Sequence, residues 1–137
     1  MNARTRILFT FLVLLLALGT LRRLKSTPAA RAAEEQALIA TIKLQSGDMG
    51  SPDERSRIVA LENQLSDAIK NAAAGDFDGD EYGEGACTIY MYGPSADRLL
   101  SLTLPVLKKF RAPAGSYVIK RYGKPGAKQE RISLSGD

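Results

Sequence analysis

The sequence predicts an α+β fold, a two-layer sandwich, preceded by an apolar N-terminal helix. Three observations predict it. Residues 38–45 and 86–92 alternate in polarity with the period of a strand, whereas residues 52–72 and 95–110 repeat their apolar side chains at helical steps. Residues 7–21 carry no charge at all. At 137 residues there is room for one small domain and an appendage, which divides the chain into a membrane anchor or signal segment (1–25), a linker (26–37) and a domain (38–137).

The leader reads ILFTFLVLLLALGTL from Ile7 to Leu21, bracketed by Arg4 and Arg6 before it and Arg22, Arg23 and Lys25 after it. As a helix this run is about 22 Å long, and flanking Arg and Lys extend its reach by snorkelling. A cleaved signal peptide needs a small-x-small site close behind the apolar run, but the nearest, Ala30-Arg31-Ala32, lies well downstream. Three cations directly behind the run mark an anchor boundary. The expectation is therefore a single-pass membrane protein with its domain on the extracytoplasmic side, or a secreted or periplasmic one if the leader is removed.

Ala-rich, polar residues 26–37 read as a stalk. From Leu38 the chain alternates, with Leu38, Ala40, Ile42 and Leu44 on one face, and Ser46–Gly50 ends the strand. Ser51-Pro52-Asp53-Glu54 then has the form of a capping box with Pro at the first helical position. The helix that follows buries Ile58, Leu61, Leu65, Ala68, Ile69 and Ala72, turns Glu62, Asn63 and Lys70 to water, and meets its stop at Gly75. Residues 75–85 read as an acidic turn. Ala86 to Tyr92 is a strand with Cys87, Ile89 and Met91 on one side. Gly93-Pro94 opens a second helix through Phe110, which Pro105 should kink or divide near Leu104. Ser116–Tyr122 and Glu130–Leu134 form a hairpin around Gly123-Lys124-Pro125-Gly126. The order β-α-β-α-β-β, with helices long enough to cover one sheet face, has ferredoxin-like character.

Charge is ordered along the chain. The net +4 conceals six basic residues and no acid in residues 1–31, then 4 basic against 13 acidic in 32–97, then 9 basic against 2 acidic in 98–137. The absence of His removes the commonest neutral-pH base and the Ser-His and Cys-His nucleophile arrangements, and one Cys cannot complete a Cys/His zinc site. A non-enzymatic protein is expected, with no cofactor. Cys87 sits in an apolar row with no His beside it in the composition, so it reads as a core thiol.

Gly75 to Gly85 (GDFDGDEYGEG) concentrates five carboxylates and four glycines. Asp76, Asp78 and Asp80 fall at the first, third and fifth positions of a calcium loop, but Glu81 replaces its glycine and Cys87 its closing glutamate, so no metal site is assigned. The leading reading is a protein-binding segment in which Phe77 and Tyr82 anchor while Asp76, Asp78, Asp80, Glu81 and Glu84 match a basic partner. The alternative is a calcium-responsive domain or small metal-dependent enzyme on the same segment. Opposite in charge are Lys108, Lys109, Arg111, Lys120, Arg121, Lys124, Lys128 and Arg131, interleaved with Phe110, Tyr117 and Tyr122. This is a solvated or headgroup-facing surface; without an RNA-binding signature, and on a tethered chain, nucleic acid is disfavoured. GDFDGDEYGEG, YGPSADRLL and VIKRYGKPG together resemble small bacterial α+β proteins with no known activity. That resemblance covers the C-terminal half and implies a fold and no catalytic residues.

Taken together, the sequence leads to a membrane-tethered, non-enzymatic protein-binding domain, attached through Ile7 to Leu21 to what the resemblance implies is a bacterial inner membrane.

Overall fold

A computed structural model describes residues 35–135. The chain runs through β1 (Gln36–Lys43), α1 (Pro52–Asn71), β2 (Asp76–Gly83), β3 (Ala86–Gly93), α2 (Ala96–Phe110), β4 (Tyr117–Arg121) and β5 (Gln129–Ser133). The fold is α+β: one five-stranded antiparallel sheet in the order β2-β3-β1-β4-β5, with two helices. The apolar leader and nearly all of the expected linker lie outside the described residues. Within them, no helix is long and apolar enough to cross a membrane.

Local chemistry explains most boundaries. Ser51 Oγ accepts from the Glu54 amide at 3.2 Å and Glu54 Oε2 accepts from the Ser51 amide at 3.0 Å, which completes the capping box. Glu54 Oε1 also accepts from the Gln45 amide at 2.7 Å, tying the start of the β1–α1 loop to the helix. These amide donors lower the Glu54 carboxyl to about 2. α1 ends at Asn71 rather than running to Gly75, because Ala73 takes a left-handed conformation at φ 48°. Gly75 has a different task. A Cβ there would lie 2.0 Å from the Tyr92 carbonyl oxygen, and one at Gly93 would lie 2.3 Å from that of Ala74, so two glycines let the α1–β2 connection cross the end of β3.

α2 is one continuous helix through Pro105, not two. The carbonyl that the proline deprives of a donor belongs to Ser101, and both residues are exposed, so water can satisfy it. β1 begins at Gln36, inside the expected linker, because buried Ala37 pairs with both Tyr92 and Arg121.

The largest departure is β2. Residues 76–83 are not a turn but an outer strand paired along β3, closed by a tight turn at Glu84-Gly85. Phe77 and Tyr82 are an odd number of residues apart, so a regular strand would set them on opposite faces. An irregularity between Phe77 and Gly79 leaves Asp78 unpaired and restores both aromatics to one face.

One core results. Leu38, Ala40 and Ile42 of β1, Cys87, Ile89 and Met91 of β3 and Val118 of β4 meet Ile58, Leu61, Leu65 and Ile69 of α1 and Leu99 and Leu107 of α2. Phe77 and Tyr82 pack partly against this cluster. The sheet's other face is uncovered among the described residues. Its centre is Ile39, flanked by Tyr90 of β3 and Ile119 of β4; Tyr92 and Arg121 flank Ala37, and Thr88 and Tyr117 flank Thr41.

Candidate functional site

The sequence-selected acidic residues reach the surface by different routes. Asp76 pairs with Tyr92 and Glu81 with Thr88, so both lie on the open face, and the Tyr90 hydroxyl donates to Glu81 Oε1 at 2.5 Å. That bond and partial burial push the phenol up to about 12. Asp78 is exposed at the bulge and Glu84 is exposed in the following turn. Asp80, paired with Ile89, faces the helices together with Phe77 and Tyr82. Five carboxylates are thus brought to one edge strand, but the aromatics expected to anchor a partner are half-buried against the core.

Asp76, Asp78 and Asp80 do not converge on one point, since Asp76 and Asp80 leave opposite faces of the sheet. The calcium-loop spacing is a coincidence of an acidic strand. Asp80 instead joins a group that the sequence did not reveal. Glu62 of α1, Asp80 of β2 and Cys87 of β3 bring one ligand-type atom each to within 4.8 Å of one another. Glu62 is only partly exposed, and its Oε1 is buried without a hydrogen-bond partner, which corrects the expectation that this side chain faces water. Glu62 borders the Ile58–Leu61–Leu65 stripe, and β2 covers that flank; with residues 75–85 read as a turn, nothing was there to cover it.

The electrostatics follow from this enclosure. Burial, and then the charge of Asp80, raise the Glu62 carboxyl to about 7. Burial likewise raises the Cys87 thiol to about 12, with Asp80 and Glu62 adding to the effect, so the thiolate is scarce at neutral pH. Tyr82 is raised too, by burial first and then by Cys87. A nucleophilic role for Cys87 has no chemical support in such surroundings. A cation of borderline softness could be held by two carboxylates and a thiolate, but it would have to displace the protons of Glu62 and Cys87.

Compared with known proteins, the chain matches no family model, no curated protein and no solved structure.

The basic residues of the C-terminal part do not form one patch. Lys120 Nζ lies 2.7 Å from both Asp97 Oδ1 and Glu130 Oε2, and Lys128 Nζ lies 3.2 Å from Glu130 Oε1. The Tyr122 hydroxyl lies 3.0 Å from an oxygen of each of the same two carboxylates and donates its one proton between them. The cluster ties the first turn of α2 to β4 and β5, and Lys120 is held charged well above the ordinary lysine range while Glu130 is lowered to about 2. Arg121 and Arg131 stand apart, on the open face. Arg131 lies 3.6 Å over the Tyr117 ring and Arg121 lies 6.0 Å over that of Tyr92.

A cavity of about 400 Å³ lies at the end of the sheet, lined by Glu35, Ala73, Gly75, Asp76, Tyr92, Gly93 and Pro94. It presents two carboxylates and a tyrosine and shares no lining residue with the Glu62–Asp80–Cys87 group.

Proposed function

We propose that this chain is a membrane-tethered, non-enzymatic protein-binding domain whose acidic edge strand β2 receives a basic partner. One observation carries this reading: Asp76, Asp78, Asp80, Glu81 and Glu84 share a strand or its turn, and among the described residues β2 is paired on only one side. An outer strand offers a row of backbone donors and acceptors to an extended segment, and its carboxylates select against acidic segments and in favour of basic ones. Phe77 and Tyr82 support the strand from below rather than anchoring the partner. Apolar Ile7–Leu21 is the proposed tether, with the domain on the extracytoplasmic side. The resemblance to small bacterial α+β proteins fits this setting. A non-enzymatic role is favoured by the missing His and by a Cys87 thiol that burial keeps protonated.

The proposed architecture is a two-layer sandwich of ferredoxin-like character. The first six elements follow β-α-β-β-α-β with β4, β1, β3 and β2 side by side, and β5 extends the sheet beyond β4.

Changing Asp76, Asp78, Asp80, Glu81 and Glu84 to Asn or Gln in the full chain should remove its co-purifying partners after crosslinking in the producing cell. Retention of every partner by the neutralised strand would contradict the proposal. The second reading, a metal-responsive site, is favoured by the three ligand-type atoms at Glu62, Asp80 and Cys87. It requires heat or a thermal shift on titration with zinc or calcium, abolished by Glu62→Gln, and fails if millimolar metal produces neither.

A further inference from the structure

The open face of the sheet combines an apolar centre with two oppositely charged sides. Ile39 and Ile119 sit at its middle between the rings of Tyr90, Tyr92 and Tyr117, all half-buried although no helix of the described residues covers them. On the β2 side the face carries Asp76 and Glu81; on the β4 and β5 side it carries Arg121 and Arg131. None of these four makes an ion pair among the described residues, in contrast to Lys120, Lys128, Asp97 and Glu130 on and around the helix-covered side. The charges are divided within one surface and lack a partner of opposite sign, although Glu81 accepts from Tyr90, Arg121 Nε donates to the Gly123 carbonyl at 3.0 Å and Arg131 lies over Tyr117.

Such a surface is complementary to itself in one orientation. A two-fold axis running along β1 in the plane between two stacked sheets carries the β2 side of one copy onto the β5 side of the other. Ile39 then faces Ile39, Tyr90 faces Ile119, Asp76 and Glu81 lie beside Arg121 and Arg131 of the second copy, and Lys43, at the end of β1 on the same face, comes nearest its own copy at the margin of the contact. Gly79 falls opposite Arg131, and a Cβ placed at Gly79 would have nothing within 4 Å, so there is room for the guanidinium. An axis across the strands would instead stack acid on acid and base on base. From these observations we infer that the open sheet face pairs with a second copy of this chain about a two-fold axis along β1.

This inference deepens the protein-binding reading and rests on it, because Asp76 and Glu81 belong to the acidic strand and the second copy is its first partner. The described part of the chain holds as many acidic as basic residues, 13 of each, so a polyanion gains little from overall charge while a self-complementary partner gains from the division. Five strands and the five residues of β4 or β5 define a patch on the order of 400 Å² per copy at about 4.8 Å between strands and 3.4 Å per residue. That is at the lower limit for a specific interface, so a weak, reversible dimer is expected. Confinement to a membrane would raise its occupancy.

The test uses the full chain in the membranes of the cell that produces it. Ile39→Cys, placed on the proposed axis, should give dimers with a short bis-maleimide, whereas Val59→Cys on the exposed side of α1 should give at least tenfold fewer; buried Cys87 does not compete. In the Ile39→Cys chain, Asp76→Lys with Glu81→Lys, or Arg121→Glu with Arg131→Glu, should each cut the yield about tenfold. Co-expression of those two differently tagged chains should restore it as mixed dimers, which misfolded chains cannot do. Equal crosslinking from positions 39 and 59, or mixed chains no better than either alone, would overturn the inference. So would protection of the thiol introduced at position 39 by an oligothymidylate, or its coupling only within one chain. If copies do not couple while neutralising β2 still releases a basic protein, the protein-binding reading survives without this partner; if neither effect is seen, both fall.

Discussion

Glu62 shows how one side chain can set the pH response of the fold. Its carboxyl is raised to about 7 in the folded chain from an ordinary value of 4.5, so the folded state holds a proton that the unfolded state releases between those values. Its contribution to stability is present below pH 4.5 and is lost as the pH rises through 7. Glu54 and Glu130, both lowered to about 2, act in the opposite sense: their contribution is present above 4.5 and is lost as the pH falls toward 2. Unfolding midpoints measured against pH should therefore peak near 4.5 to 5 and decline on both sides. Glu62→Gln should flatten the decline above the peak while leaving the acid side unchanged. A persistent decline in that variant would place its origin elsewhere. Cys87 was legible in the sequence as a buried thiol because strand alternation alone assigns its face. Glu62 was not, since its burial depends on a strand 14 to 21 residues further along the chain whose sequence resembles a turn.

β2 was hidden for physical reasons. Its eight residues, DFDGDEYG, are rich in the types that disfavour strands, and the bulge at Asp78 breaks the alternation that would have revealed Phe77 and Tyr82 as one inward face. What holds it in place is pairing along β3 and contact with α1, neither of which is written in its own residues. By contrast, α1 was readable from Ser51 to Glu54 and from its apolar stripe, and β3 from ACTIYMY, because cap chemistry and alternation are local. The α1–β2 crossing depends on backbone contact at Gly75 and Gly93. Gly93→Ala should therefore destabilise the domain by more than about 1 kcal/mol even though it adds a single methyl group. Leu65→Ala, in the centre of the core, should cost about 2–5 kcal/mol, and Val59→Ser on the exposed side of the same helix should change little. Thermal unfolding of the three variants orders these effects, and a Gly93→Ala chain as stable as the parent would contradict the crossing.

For the whole molecule, the sequence correctly indicated an α+β fold, two helices and four of the five strands, and it located the acidic segment. It could not say that this segment is the outer strand of a sheet, because strand order is decided by which faces can be buried together and not by any one element. Once β2 joins β3, the sheet has, among the described residues, an acidic outer strand and a helix-free face that runs from carboxylates to arginines. The net +4 loses its value as a clue to partners, since six of the basic residues belong to residues 1–31 and the described residues balance. The central claim, that β2 is where another protein docks, is tested most directly by placing a photo-reactive residue at exposed Asp78 in the full chain and irradiating the cells that produce it. Discrete protein adducts should form from position 78, weaken at high salt, and be absent from position 59 on α1. Adducts of the same kind and yield from both positions, or none from position 78, would contradict the claim.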